Sequence, residues 1–224
     1  MCVQRIIAAI CCCLISMWVT LPVCAQDVEG GKQGRLFPPE RIEELDEPRE
    51  WQKAEQIMEF LDIEEGYVVA DIGTGTGYFA LYFADRVGES GLVYAEDIQP
   101  EMVEYTREKI NDLGLTNVKV VLGKPDDPGL PENSLDLVMM ANVYHEVDDP
   151  VALLKSIARS LKEDGRLIII DWRIGRGDDI GPPLPDRVPR DAVEADAEET
   201  GYYTVRHHPF LYNHYFLIFK KKPT

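Results

Sequence analysis

The chain has 224 residues, 45% of them hydrophobic and 28% charged, a balance that provides for a sizeable core and excludes a disordered or fibrous protein. Its formal net charge of -17 repels phosphate backbones and argues against a nucleic-acid partner.

The N-terminus carries a basic Arg5, an apolar run from Ile6 to Leu21 and the small residues Val23 and Ala25, followed by Gln26. This reads as a signal peptide over 1–25, with an uncleaved membrane anchor as the alternative. The run is short for a membrane span and Pro22 ends it, so no stable span is expected in the mature chain. All five cysteines lie before residue 26, so a cleaved chain has no disulfide, thiolate metal site or cysteine nucleophile. Residues 26–39, rich in Gly, Pro and charge, read as a flexible leader to a domain over 40–224.

A helical pattern covers Glu40 to Asp62. Strands and helices then alternate. Strands are predicted at 67–72, 92–96, 118–122, 135–140 and 166–171, and helices at 78–87, 101–113 and 151–161. The strands are nearly continuous apolar runs, which points to an α/β fold with a mostly parallel sheet covered by helices on both faces. Residues 175–189 break the rhythm as an exposed Gly, Pro and Asp loop. A helix over 190–200 and a hairpin of strands 202–207 and 210–219, turning on "HP", complete the chain. His207, His208 and His214 have no acidic or thiol partner at ligand spacing, so no metal is expected.

The stretch "VVADIGTGTGYFA", Val68 to Ala80, sets Asp71 and then Gly73, Gly75 and Gly77 at the end of the first strand. Such glycines let a ligand approach bare backbone at the edge where open α/β sheets bind ligands. A dinucleotide fingerprint needs glycine at position 78, which is Tyr78. "VYAEDIQPEM" then ends the second strand on acids, Asp97 or its neighbour Glu96, able to accept from ribose hydroxyls. After the third strand, Asp126 or Asp127 of "GKPDDP" offers an acceptor for an exocyclic amine.

In this order the motifs resemble those of the class I S-adenosylmethionine-dependent methyltransferases. "ADIGTGTG", "YAEDIQPEM", "PENSLDLVMMANVYHEV" and "LKEDGRLIIIDW" carry the resemblance, which runs from about Arg49 to Lys221. It implies a Rossmann-like sheet of seven strands with the last antiparallel, and S-adenosyl-L-methionine as cofactor. Gly73, Gly75 and Gly77 would line the methionine arm, Asp71 would shape that loop, and Asp97 would hold the ribose. Ile98 would pack on the adenine, Asp126 would face its amine, and Asn142 would lie at the methionine end. A zwitterionic sulfonium ligand without phosphate suits a bare loop flanked by carboxylates.

Methyl transfer needs an aligned acceptor, exclusion of water and, for a protonated acceptor, a base. His145 of "NVYHEV" is the candidate base, with Tyr144 or Glu146 beside it; a packing role is the alternative. Trp51 and Gln52 lie in the helix ahead of the core, and "IGPPLPDR" is a candidate acceptor wall. A small-molecule acceptor is expected from a domain with little insertion. The rival readings are a non-catalytic cofactor- or metabolite-binding protein on the same fold, and an NAD-type oxidoreductase that Tyr78 disfavours. Export would separate the enzyme from a cytosolic cofactor, so the resemblance and the leader pull in different directions.

Overall fold

The computed structural model describes residues 36–46, 53–175 and 180–223. The signal peptide expected at 1–25, residues 26–35 of the leader, and Trp51 and Gln52 lie outside the described residues. The chain enters through a 3-10 turn at Pro39–Leu45, and α1 follows at Ala54–Leu61. The one helix expected over 40–62 is therefore divided. Lys53 sits at φ 51° immediately before α1, a left-handed backbone that a continuous α-helix does not contain, and Asp62 closes α1 at φ 49°.

Beyond α1 the order is β1 (Val68–Ile72), α2 (Tyr78–Val87), β2 (Leu92–Asp97), α3 (Pro100–Asp112), β3 (Val118–Leu122) and β4 (Leu135–Ala141). Then come α4 (Pro150–Ser160), β5 (Leu161–Trp172), α5 (Arg190–Glu199), β6 (Tyr202–His207) and β7 (His214–Lys221). These strands form a 7-stranded sheet in the order β3-β2-β1-β4-β5-β7-β6. β1 to β5 pair in parallel, and β7 runs antiparallel to both of its neighbours. The final hairpin is wider than the sequence predicts. Pro209 has no N–H for the ladder, and the next two side chains leave the sheet for the core. Phe210 stacks on Phe60 of α1 with ring centroids 4.7 Å apart, and Leu211 is buried.

Strand alternation divides the sheet between two cores. Val69, Leu137, Met139, Ile168 and Phe216 face the side covered by α1 and α2, whereas Ala70, Val138, Met140, Ile169 and Leu217 face α4 and α5. Helix α1 meets its core through Ala54, Ile57, Met58 and Leu61, the i, i+3, i+4, i+7 stripe of an amphipathic helix. Each large apolar side chain so buried contributes about 1.5–3 kcal/mol. Helix α4 starts where Pro150 fixes φ and the Asp149 carboxylate accepts from Ala152 N–H at 2.9 Å, a cap that stabilises by about 1 kcal/mol.

The strand order runs outward from β1 in both directions, to β2 and β3 on one side and β4 and β5 on the other. The connections after β1 and β4 therefore part above the sheet, and a crevice opens at the carboxyl ends of these strands. Among the described residues, no helix is long and apolar enough to cross a membrane.

Candidate functional site

A cleft of about 1090 Å³ occupies this crevice. Its floor is the β1–α2 loop with Asp71, Gly73, Thr74 and Gly75; one wall carries Glu96, Asp97 and Ile98, and the other Asn142, Val143, His145 and Glu146. The 3-10 turn at 39–45 borders it through Arg41, Glu44 and Leu45. That turn is tied to α3 by Asp46, which accepts from Tyr105 Oη and, at 2.6 Å, from Lys109 Nζ.

The glycine loop is held by acids. Asp71 accepts from Thr74 Oγ1 at 2.8 Å. Asp97 Oδ2 accepts from Gly75 N–H at 3.0 Å, and its Oδ1 from Gln99 N–H at 2.9 Å. Glu96 is buried behind them, where the Gly73 N–H favours its ionised form against the cost of burial. Gly73 and Gly75 have φ of +65° and +55°, where a side chain is strained. A Cβ on Gly73 would also meet Val143 Cγ1 at 2.8 Å and Cγ2 closer still. Gly77, at φ +77°, opens α2 against Thr106 of α3 rather than lining the cleft.

Burial dominates the titration of these acids. It pushes Asp71 up to about 7 against the pull of the Thr74 hydroxyl, with the Asp97 charge adding to the rise. Burial likewise raises Glu96, helped by Asp97, and raises Asp97 itself despite its backbone N–H donors. A carboxyl that binds protons more tightly folded than unfolded costs stability where only the unfolded state has lost its proton. The ligand-free chain is therefore expected to lose stability as pH rises from about 4 to 7 and to level off above 7, with Asp71 contributing on the order of a few kcal/mol. Asp71→Asn should flatten that slope, which urea titrations at a series of pH values would read.

Asn142 stands at the far wall with φ 62°, and its buried Oδ1 has no hydrogen-bond partner. An orphaned acceptor at the cleft is suited to a cationic or N–H donor. Next to it, the turn Tyr144–Glu146 carries His145, whose Nδ1 lies 2.9 Å from Asp171 Oδ1 and 3.1 Å from Oδ2. Burial alone would lower the imidazole, but the Asp171 charge and hydrogen bond, with Glu146 and Asp186, leave it raised. Burial pushes Glu146 up to about 7, against the attraction of His145 and the N–H of Phe37.

The segment 180–187 closes the outer side with Ile180, Pro182 and Pro183. Arg187 anchors it from beneath. The guanidinium donates to the carbonyls of Pro182 at 3.0 Å, Arg173 at 2.8 Å and Ile180 at 2.6 Å, and lies 5.4 Å from the Trp172 ring centroid.

Of the residues expected from sequence, Asp71, Gly73, Gly75, Asp97, Ile98, Asn142 and His145 come together at the cleft. Asp126 does not: the bridge between Lys124 and Asp127 folds "GKPDDP" into a tight turn that leaves Asp126 exposed, and Lys124 and Pro125 line the cleft instead. Asp127 is turned away to accept from Gly129 N–H and from Ser156 Oγ of α4. Tyr144 also points elsewhere, its hydroxyl donating to Asp196 of α5 at 2.8 Å. Asp171, Arg187 and the buried role of Glu96 were missed; the acid ending the apolar run of β5 was the available signal for Asp171.

The donor set fits S-adenosylmethionine. The loop end of the cleft is acidic through Asp71, Glu96 and Asp97, and among the described lining residues the cations are Lys124 and Arg41, the latter 2.5 Å from Glu44. Carboxylates, bare glycine backbone and the free Asn142 oxygen suit hydroxyls, an ammonium and a sulfonium rather than a pyrophosphate.

A family profile described as a methyltransferase domain matches residues 70–169. A crystal structure of a SAM-dependent methyltransferase from Aquifex aeolicus is 34% identical, superposes with a TM-score of 0.77, and is matched over 82% of this chain and 98% of its own. The ubiquinone/menaquinone biosynthesis C-methyltransferase UbiE of Pseudoalteromonas translucida is 34% identical over 125 residues, 55% of this chain and 49% of that protein. The demethylmenaquinone methyltransferase of Listeria welshimeri is 30% identical over 121 residues, 54% of this chain and 50% of its own. The chain thus spans about half the length of the curated relatives it matches. The [4+2]-cyclase SpnF shares the fold, with a TM-score of 0.64 at 14% identity over 78% of this chain and 81% of its own.

Proposed function

We infer, from the premise that this chain belongs to the class I S-adenosylmethionine-dependent methyltransferases, that it transfers a methyl group to a small-molecule acceptor. The observation that carries the reading is the pairing of a glycine loop held by Asp97 with the unpartnered Asn142 oxygen on the opposite wall. When bound, the cofactor supplies an electrophilic methyl carbon on a sulfonium leaving group. Gly73 and Gly75 admit its methionine arm to the backbone, and the Asn142 oxygen accepts from its ammonium. Asp97 accepts from the ribose hydroxyls, Ile98 covers the adenine, and Asp71 keeps the loop in shape through Thr74. Gly77 contributes the left-handed turn into α2. His145 serves as base toward the acceptor.

The small-molecule acceptor is supported by a cleft that an acceptor enters beside Trp172 and 180–183, and by relatives named for quinone methylation. Export remains part of the reading on the pattern of residues 1–25 alone. N-terminal sequencing of the protein from the envelope fraction should find Gln26 first, and an intact Met1 in the cytosolic fraction would remove export.

Calorimetric titration of the chain with S-adenosylmethionine tests the central claim. Binding with a Kd of about 1–100 μM is expected, and radiolabelled methyl should pass to a small-molecule extract. No binding at millimolar cofactor by a folded chain overturns the reading. Binding without any methylated product favours the second reading, a binding protein or an enzyme of other chemistry on this fold, for which SpnF is a precedent.

A further inference from the structure

At the base end of the cleft the lining holds neither Asp126 nor Asp127; Lys124 and Pro125 stand there instead. Strand register locates them. Asp97 pairs with Leu122 across β2 and β3, so Lys124 lies two residues further out on the neighbouring strand, roughly 7 Å along the strand direction. Gly123 N–H donates to the Asp97 carbonyl at 3.0 Å and carries the pairing past the end of β3. A base on a ribose held by Asp97 would thus lie between Ile98 on one side and Lys124 and Pro125 on the other.

This loop is poorly equipped to hold an exocyclic amine. Lys124 N–H donates to the Asp127 carbonyl at 2.9 Å, and the Lys124 carbonyl accepts from Asp127 N–H at 3.1 Å, so both backbone groups are paired within the turn. Pro125 has no N–H to offer a ring nitrogen. Gly129 N–H, the Ser156 hydroxyl and, more weakly, the Lys124 charge hold the Asp127 carboxyl below its ordinary value, but Asp127 does not reach the cleft. What faces the base is the Lys124 ammonium, which has three donors and no acceptor. Arg41, the other lysine or arginine of the described lining, is committed to Glu44 through donors at 2.6 and 2.5 Å. The Gln99 amide lines the cleft too, but an amide both donates and accepts and does not by itself distinguish an amine from a carbonyl.

We propose, resting on the methyl-transfer reading above, that Lys124 is the residue that reads the purine of the cofactor, donating to the lone pairs of the ring, and that the amine at the six-position is left to solvent. The six-position then discriminates little. An amine, a methylated amine and a carbonyl are all admitted, and the carbonyl, itself an acceptor, gains a bond from Lys124. A carboxylate at the same place would act in the opposite sense, because a base without the amine leaves a charged acceptor unpaired.

Calorimetry of the full chain with S-adenosylhomocysteine, its N6-methyl derivative and its 6-oxo counterpart S-inosylhomocysteine tests this. The N6-methyl derivative should bind within about threefold of the parent, and the 6-oxo compound between about threefold weaker and tenfold tighter. Lys124→Ala should weaken the 6-oxo compound by about tenfold and the parent by less, and Lys124→Asp should turn the preference to the amine by about tenfold or more. A native chain that favours the parent over either derivative by more than about threefold, or a Lys124→Ala variant with the native ratio of affinities, overturns the proposal. The ratio separates base reading from a structural role, which would weaken all the ligands alike. The native comparison needs no substitution, and Lys124 is exposed, so its replacement disturbs no core. Binding with a strong preference for the amine sinks this proposal alone, whereas no binding of any of the three by the folded chain sinks the methyl-transfer reading and this proposal with it.

Discussion

Asp97→Ala is expected to weaken S-adenosylmethionine binding by at least about 100-fold. Hydrogen bonds to a carboxylate contribute about 1.5–3 kcal/mol each, and the ribose offers two hydroxyls to the one acid. The substitution also releases Gly75 N–H, which Asp97 holds at 3.0 Å, so the floor of the site loses a tether together with the contact. Asp97→Asn separates the two effects, since its amide oxygen still accepts from the loop; a loss of about tenfold is expected there. Glu96→Gln, in a carboxyl that burial keeps protonated more readily than usual, should cost far less than either. Calorimetry on the three variants reads the order. Near-native affinity in a folded Asp97→Ala, with loss on Glu96→Gln, would transfer the ribose role to Glu96.

Gly73→Ala should destabilise the chain by about 2–5 kcal/mol and remove cofactor binding. Two independent costs combine: about 1–2 kcal/mol for an L side chain in left-handed backbone, and about 1–3 kcal/mol for the overlap of its methyl with Val143. Val143→Ala deletes the γ carbons that the new methyl strikes. In the double variant the overlap with the γ carbons should vanish, leaving Cβ of residue 143 at 3.2 Å, and the backbone cost remain, giving a favourable coupling of about 1–3 kcal/mol by urea denaturation. Additive losses would show that Val143 can simply move aside.

The parallel strands were legible in the sequence because each is a largely apolar run, in all but β4 closed by or next to an acid or a glycine, and strand alternation then decides which core each residue meets. The glycine loop was legible for a related reason: "DIGTGTG" is a run no helix or strand would tolerate, so it had to be a turn made for something. Two signals misled. Apolar periodicity over 40–62 looked continuous, yet Lys53 breaks it with a left-handed residue, and nothing in a lysine announces that conformation. "GKPDDP" offered two acids at a promising place, but the proline and the Lys124–Asp127 bridge turn Asp126 out to solvent. What no periodicity encodes is pairing across the fold. Asp171 and His145 lie on different elements, and only the register that sets β4 beside β5 brings them within hydrogen-bond distance.

Arg187 has a consequence for anyone wishing to remodel this protein. One buried side chain fastens two carbonyls of the outer segment to a third just past the end of β5, so the shape of that segment is written from behind and its cleft-facing residues are largely decoration upon it. The side chains of Ile180 and Pro183 form a natural library for changing which molecules enter, because neither side chain supplies the fastening. Arg187 itself belongs outside such a library: a single replacement would slacken every cleft-facing position at once and blur the selectivity that the library was meant to explore.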